Sequence, residues 1–242
     1  MRSFPGIVLV FSVTTGFGCG GTDTTALQIS QLDAEHVAGT LATPDGPVHF
    51  SSEVTAPGVF RVRFDLGGGE FGTDVDWNTY VADPRAGTDW TMSARDREVM
   101  GTLARAIEEQ IGNVDPVSDN LVRQANLWAR HPQGKLVLQQ IVADRVHGWT
   151  TICSGSYRTF NWTWGSTAKS EYLKYGPTET SNPCRARCGS GCTAAWGTSA
   201  WTVDCGRHDR CEQYGGSGVN SQCNDELTSA GDDFSFAGNC SY

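Results

Sequence analysis

The 242-residue chain is long enough to bury the core of one large domain or two small ones, and 38% hydrophobic with 19% charged residues is the balance of a folded globular protein. Net charge is −9, and 7 Lys and Arg against 9 Asp and Glu from Cys153 onward leave most of that acidity to the preceding part. No basic stripe exists, which argues against nucleic acid and against electrostatic capture by anionic lipid, and leaves a neutral or zwitterionic surface open.

Residues 1–18 read as a signal peptide: Arg2 is the one early charge, Ile7–Val13 is a short apolar run, and Gly16 and Gly18 precede Cys19. That run is too short to span a bilayer, and nothing later is long and apolar enough to do so, so no transmembrane segment is expected. Cys19-Gly20-Gly21 resembles the processing site of bacterial lipoproteins, where the Cys receives lipid; the alternative is plain secretion. The small, polar stretch Gly20–Gln28 reads as a tether. Val59–Leu66 alternates apolar and charged side chains, the signature of a half-buried strand stopped by Gly67-Gly68-Gly69. Ser93 to Ile111 reads as a helix: Ser93 and Asp96 form a capping-box start, and Val99, Met100, Leu103, Ala104, Ile107 and Ile111 repeat on one face. A weaker helix is expected over Asp119–Arg130, and Lys135–Val142 suits a strand or a buried helical turn.

Near residue 150 the character changes. Of nine cysteines, Cys19 stands alone and the other eight, Cys153, Cys184, Cys188, Cys192, Cys205, Cys211, Cys223 and Cys240, fall in the last 90 residues. An even number at that density reads as four disulfides in an exported scaffold, with connectivity open at this point. Phe160, Trp162 and Trp164 alternate with polar residues as on a strand, and form a packed face or, alternatively, a membrane-touching rim. Two short helices follow, Asp204–Tyr214 with Asp204 as N-cap, and Ser221–Phe236.

Three readings compete for the stretch from Cys184 to Leu227. A zinc or iron–sulfur site would need reduced thiolates, at odds with export and an even cysteine count. In the second reading His208 is a surface residue of a disulfide-clamped helix and Asp209 simply favours the helix N-terminus. The third rests on Cys188-Gly189-Ser190-Gly191 followed, 18 residues from Gly191 to Asp209, by Cys205-Gly206-Arg207-His208-Asp209-Arg210-Cys211. This pair of motifs resembles the secreted phospholipase A2 family, with its Gly-rich calcium loop and its Cys-x-x-His-Asp-x-Cys helix.

The resemblance covers about Cys184–Ala237. It implies a calcium ion held by the carbonyls of Arg187, Gly189 and Gly191 and the carboxylate of Asp209, with His208 as general base on water. A second Asp orients the imidazole; Asp225 is preferred because a Cys211–Cys223 bridge would bring its turn beside His208, with Asp232 and Asp233 as alternatives. A Cys188–Cys205 bridge is likewise implied. The sequence departs from the family pattern in lacking a doubled Cys before the helix motif, in carrying Arg187 for the loop Tyr, and in shortening the segment between the two helices. The expected architecture is α+β: a mixed α/β domain over residues 19–148, of unassigned role, then a small, disulfide-rich, mainly α-helical domain over residues 149–242. The expected activity is calcium-dependent hydrolysis of a glycerophospholipid acyl ester, on phospholipid or a membrane surface, by a chain secreted or lipid-anchored at the cell envelope. The alternative is a non-enzymatic binding module on the same scaffold.

Overall fold

A computed structural model of the chain describes residues 26–87, 90–112, 115–131, 133–135, 139–143, 157–176, 185–189, 200–215, 221–238 and 240. The expected signal peptide, Cys19 and most of the tether lie outside these, as do Cys153, Cys184, Gly191 and Cys192.

Six strands follow one another up and down: β1 (Ala26–Leu32), β2 (His36–Thr43), β3 (Gly46–Ala56), β4 (Val59–Asp65), β5 (Glu70–Asp76) and β6 (Val81–Ala86). Each pairs antiparallel with the next, and the two-residue β9 (Ile141–Val142) closes the seven-stranded sheet beside β6. Alternation puts one face inside: Val37 and Leu41, Val48 and Phe50, Phe60, Val62 and Phe64, Phe71 and Val75 are all buried. A Cβ at Gly72 would stand 1.9 Å from the Val62 carbonyl oxygen, so β4 and β5 approach closely only because that residue is Gly.

Helices α1 (Ala94–Gln110) and α2 (Pro116–Ala129) cover the inner face. The Ser93–Asp96 capping box starts α1. α2 begins three residues before the sequence expectation, because Asp115 caps the Val117 and Ser118 amides and Pro116 suits the first helical position. Trp128 of α2 is buried, meets Phe71 edge-on, and donates from Nε1 to Thr73 Oγ1 at 3.1 Å. A short ladder, β7 (Thr91–Met92) with β8 (Gly134–Lys135), ties the chain before α1 to the chain after α2.

The C-terminal part contains a hairpin, β10 (Tyr157–Trp164) and β11 (Thr167–Lys174), and two helices, α3 (Val203–Tyr214) and α4 (Asn224–Phe236), the last preceded by a 3-10 turn at Ser221–Cys223. Gly165, at φ 56°, supplies the left-handed residue that the two-residue turn between Trp164 and Thr167 requires. α4 also packs on α2, and Phe236 joins the N-terminal core against Trp77, at 5.2 Å between ring centroids.

This architecture corrects the sequence expectation. Of the described residues 42% are in strands and 35% in helices, the N-terminal part is mostly one large antiparallel sheet, and there are only four α-helices among them. The reason is compositional: β2 has Gly39 on its inward face and Ala38 and Ala42 outward, and β5 has Thr73 inward and Gly72 outward, which dilutes the period-2 signal. Strands of this kind are stabilised by their cross-strand neighbours, which lie in other segments.

Candidate functional site

The site is built on the start of α3. Thr202, not Asp204, is its N-cap: the Thr202 hydroxyl accepts from the Cys205 amide at 3.1 Å, while Asp204 lies in the first turn and pairs with Arg207 at 2.7 Å. Just before the cap, residues 200–202 run antiparallel to the loop at residues 186–188. The Cys188 amide donates to the Ala200 carbonyl at 2.9 Å and the Thr202 amide to the Ala186 carbonyl at 3.0 Å. The Cys188–Cys205 disulfide fastens loop to helix, and Cys211–Cys223 fastens α3 to the turn before α4. Cys240 is also disulfide-bonded. Gly206 makes the fit possible, since a Cβ there would stand 2.3 Å from the Phe160 ring and 3.0 Å from the Ala186 methyl.

Asp209 accepts from the Ala186 amide at 2.7 Å, and Ala186 holds a positive φ of 70°, a conformation costly for a residue with a Cβ. Arg187, the next residue, buries its side chain and donates to both oxygens of Glu108 on α1, at 2.6 and 2.8 Å.

His208 is 1% exposed. Its Nε2 lies 3.3 Å from Glu212 Oε1, one helical turn on, and neither atom makes a hydrogen bond. Burial, then the nearby Arg130 and Arg97 charges, push the imidazole pKa down to about 3, so it is neutral. Burial raises Asp209 to about 7, with Glu212 adding to the shift and Arg130 opposing it, and burial also raises Glu212 against the pull of Arg130 and Arg97.

Arg130, at the end of α2, enters this cluster from the N-terminal part. It donates to Glu212 Oε2 at 2.6 Å and to the Gly189 carbonyl at 3.1 Å, and Nη2 lies 3.8 Å from Asp209 Oδ1. Arg97 of α1 closes the same side, donating to the Ala129 carbonyl at 3.2 Å.

The calcium set implied by the motifs can be tested against this geometry. The Arg187 carbonyl accepts from the Gly189 amide at 2.9 Å, the Gly189 carbonyl accepts from Arg130, and one Asp209 oxygen accepts from Ala186. A guanidinium thus stands among the oxygens, and in this arrangement the described members of the set, Arg187, Gly189 and Asp209, do not fit calcium, which needs six to eight free oxygen ligands. His208, Asp209 and Glu212 do offer ligand atoms within 4.8 Å of one another, but Arg130 engages the two carboxylates. A second grouping, Cys188, Cys205 and Asp233, has its sulfurs in a disulfide and offers no thiolate.

The three candidate orienting aspartates go to different places. Despite the Cys211–Cys223 bridge, Asp225 turns to the hairpin, where it accepts from Thr163 Oγ1 at 2.6 Å. There it lines a cavity of about 470 Å³ with Trp162, Lys169, Arg207 and Glu226. Asp233 is buried beside Thr202 and the Cys188–Cys205 bridge, and Asp232 is half-buried on the same turn of α4. The carboxylate set beside His208 is Glu212, which the sequence reading did not single out although the i, i+4 spacing places it on the His208 face of the helix. Arg130 and Arg97 were also missed, and no local pattern marks them.

Compared with protein-family models, with curated proteins and with solved structures, the chain matches none.

Proposed function

We propose that this is an exported, phospholipase A2-like hydrolase of glycerophospholipid acyl esters, with His208 as the general base that takes a proton from the attacking water. One observation carries the reading: the Cys188–Cys205 bridge and the Asp209–Ala186 hydrogen bond gather the Gly-containing loop and the His-Asp helix into a single cluster. Glu212, 3.3 Å from Nε2 and not hydrogen-bonded to it in this arrangement, would hold the proton-bearing nitrogen in the working site, and Nδ1 would then be the nitrogen that meets water. The disulfides agree with an oxidising compartment, and Cys19 would be the point of lipid attachment if the chain is anchored. For turnover the imidazole must leave its 1% exposure and its pKa must climb back from about 3, because a base far below working pH takes protons poorly.

That burial also favours a second reading, a non-enzymatic binding module on the same scaffold. Turnover separates the two. Purified protein is given mixed phospholipid micelles, and released fatty acid and lysophospholipid are titrated. His208→Gln should abolish the release, a loss on the order of a hundredfold or more. A well-folded wild type with no His208-dependent release from any phospholipid class leaves the binding module.

A further inference from the structure

We infer that Arg130 is the resident cation of this site: its guanidinium takes the place that the Gly-loop and His-Asp motifs reserve for calcium, so the intact chain takes up no calcium at this loop. The inference rests on the reading of these motifs under Proposed function, but its test involves no turnover.

Three observations lead to it. The first is the partner set. Arg130 donates to the Gly189 carbonyl at 3.1 Å and lies 3.8 Å from Asp209 Oδ1, two of the oxygens the motifs would turn toward a metal. The second is charge. Arg130 already faces Asp209 and Glu212, and Arg97 faces Glu212, so a divalent ion would put four positive charges against two carboxylates. The third is delivery. Arg130 is the C-cap of α2, its amide bonded to the Leu127 and Trp128 carbonyls, one residue beyond the buried Ala129 and two beyond Trp128, which is fixed in the sheet core. The end of a helix favours a cation, and this one is presented by a rigid element rather than by a loop. The N-terminal part thus supplies the guanidinium that binds Glu212 and the Gly189 carbonyl.

The experiment is isothermal titration of the full-length protein with calcium chloride alone, folding being checked by near-ultraviolet circular dichroism. The wild type should show no calcium isotherm that Asp209→Asn abolishes. Arg130→Met removes the charge and keeps the apolar stem, leaving Asp209, Glu212 and the Gly189 carbonyl without that guanidinium. It should bind calcium tighter by a factor on the order of a hundred, the weight of an unbalanced buried charge. Adding Asp209→Asn should cancel the gain, and Arg130→Lys, still a cation, should stay close to wild type. If Arg130→Met does not fold, Arg130→Gln answers the same question. An Asp209-dependent isotherm in the wild type overturns the inference, as does a folded Arg130→Met or Arg130→Gln without any gain. Loss of the hydrolase reading leaves these outcomes unchanged, because none of them involves a phospholipid.

Discussion

Asp233 is 3% exposed, and burial, with Asp232 and Asp204 adding to it, lifts its pKa from 3.8 to about 7 against the hydrogen bond with Thr202. A carboxyl raised in this way is bound to its proton more tightly in the folded chain than in the unfolded one. Its contribution to stability is therefore full below about pH 3.8 and is lost as pH rises through about 7. His208 has the opposite sign. Held down to about 3 from 6.5, it contributes fully above pH 6.5 and loses that contribution as pH falls toward 3. Asp233→Asn keeps the shape and cannot ionise. Its melting temperature relative to wild type should climb steadily between about pH 4 and pH 8; a difference independent of pH would show that Asp233 does not titrate in that window.

At the scale of elements, α3 is short, its cap is a single Thr, and its position is set by what it packs against. Phe160 of β10 lies against Gly206, and Ala186 of the loop fills the other side. Gly206→Ala would drive a Cβ to 2.3 Å from the Phe160 ring, and the hairpin or the loop must give way. We expect a loss of about 1–3 kcal/mol, read from urea midpoints, although Ala is the better helix former. Gly87→Ala, where a Cβ meets nothing within 4 Å, is the control and should change stability by no more than about 0.5 kcal/mol. If Gly206→Ala proves as neutral as the control, the close approach of β10 to α3 is not a constraint on the site.

Across the whole molecule, the N- and C-terminal parts are joined through buried contacts rather than laid side by side. Arg123 of α2 donates to the Ala237 carbonyl at 2.8 Å, Phe236 enters the N-terminal core, and the buried Arg187–Glu108 pair links the loop to α1. Glu108→Gln removes the carboxylate onto which Arg187 forks and leaves a guanidinium with 1% exposure facing a neutral amide. The expected cost is about 3–5 kcal/mol in guanidinium chloride unfolding, with most of it recovered in Glu108→Gln/Arg187→Met, where neither charge remains. A single variant within about 0.5 kcal/mol of wild type would mean that the pair contributes little to holding the loop on α1.

The parts legible in the sequence are those decided by neighbours along the chain. The Ser93–Asp96 box and the apolar positions Val99, Met100, Leu103, Ala104, Ile107 and Ile111 define α1 by themselves; the first five are buried, and Ile111, the half-buried C-cap, ends the helix. Val59–Asp65 alternates strongly enough to mark β4, and the Cys-flanked His208-Asp209 stretch is helical. What the tertiary structure decided comes from contacts distant in sequence. The sheet depends on each of β1 to β6 pairing with the next and on β9 joining β6 from 55 or more residues further along, because the small and polar residues of β1–β3, β5 and β6 carry too little apolar pattern alone. Asp225 was assigned to His208 from the position of its turn, yet its side chain follows Thr163, 62 residues away in sequence. Arg130 reaches Glu212 across 82 residues and Gly189 across 59, and no spacing rule connects such positions. The motif in the chain specified a helix bearing His208 and Asp209; only the tertiary placement of the end of α2, which carries Arg130, determined which cation they face, since a buried carboxylate takes whatever positive charge the fold delivers.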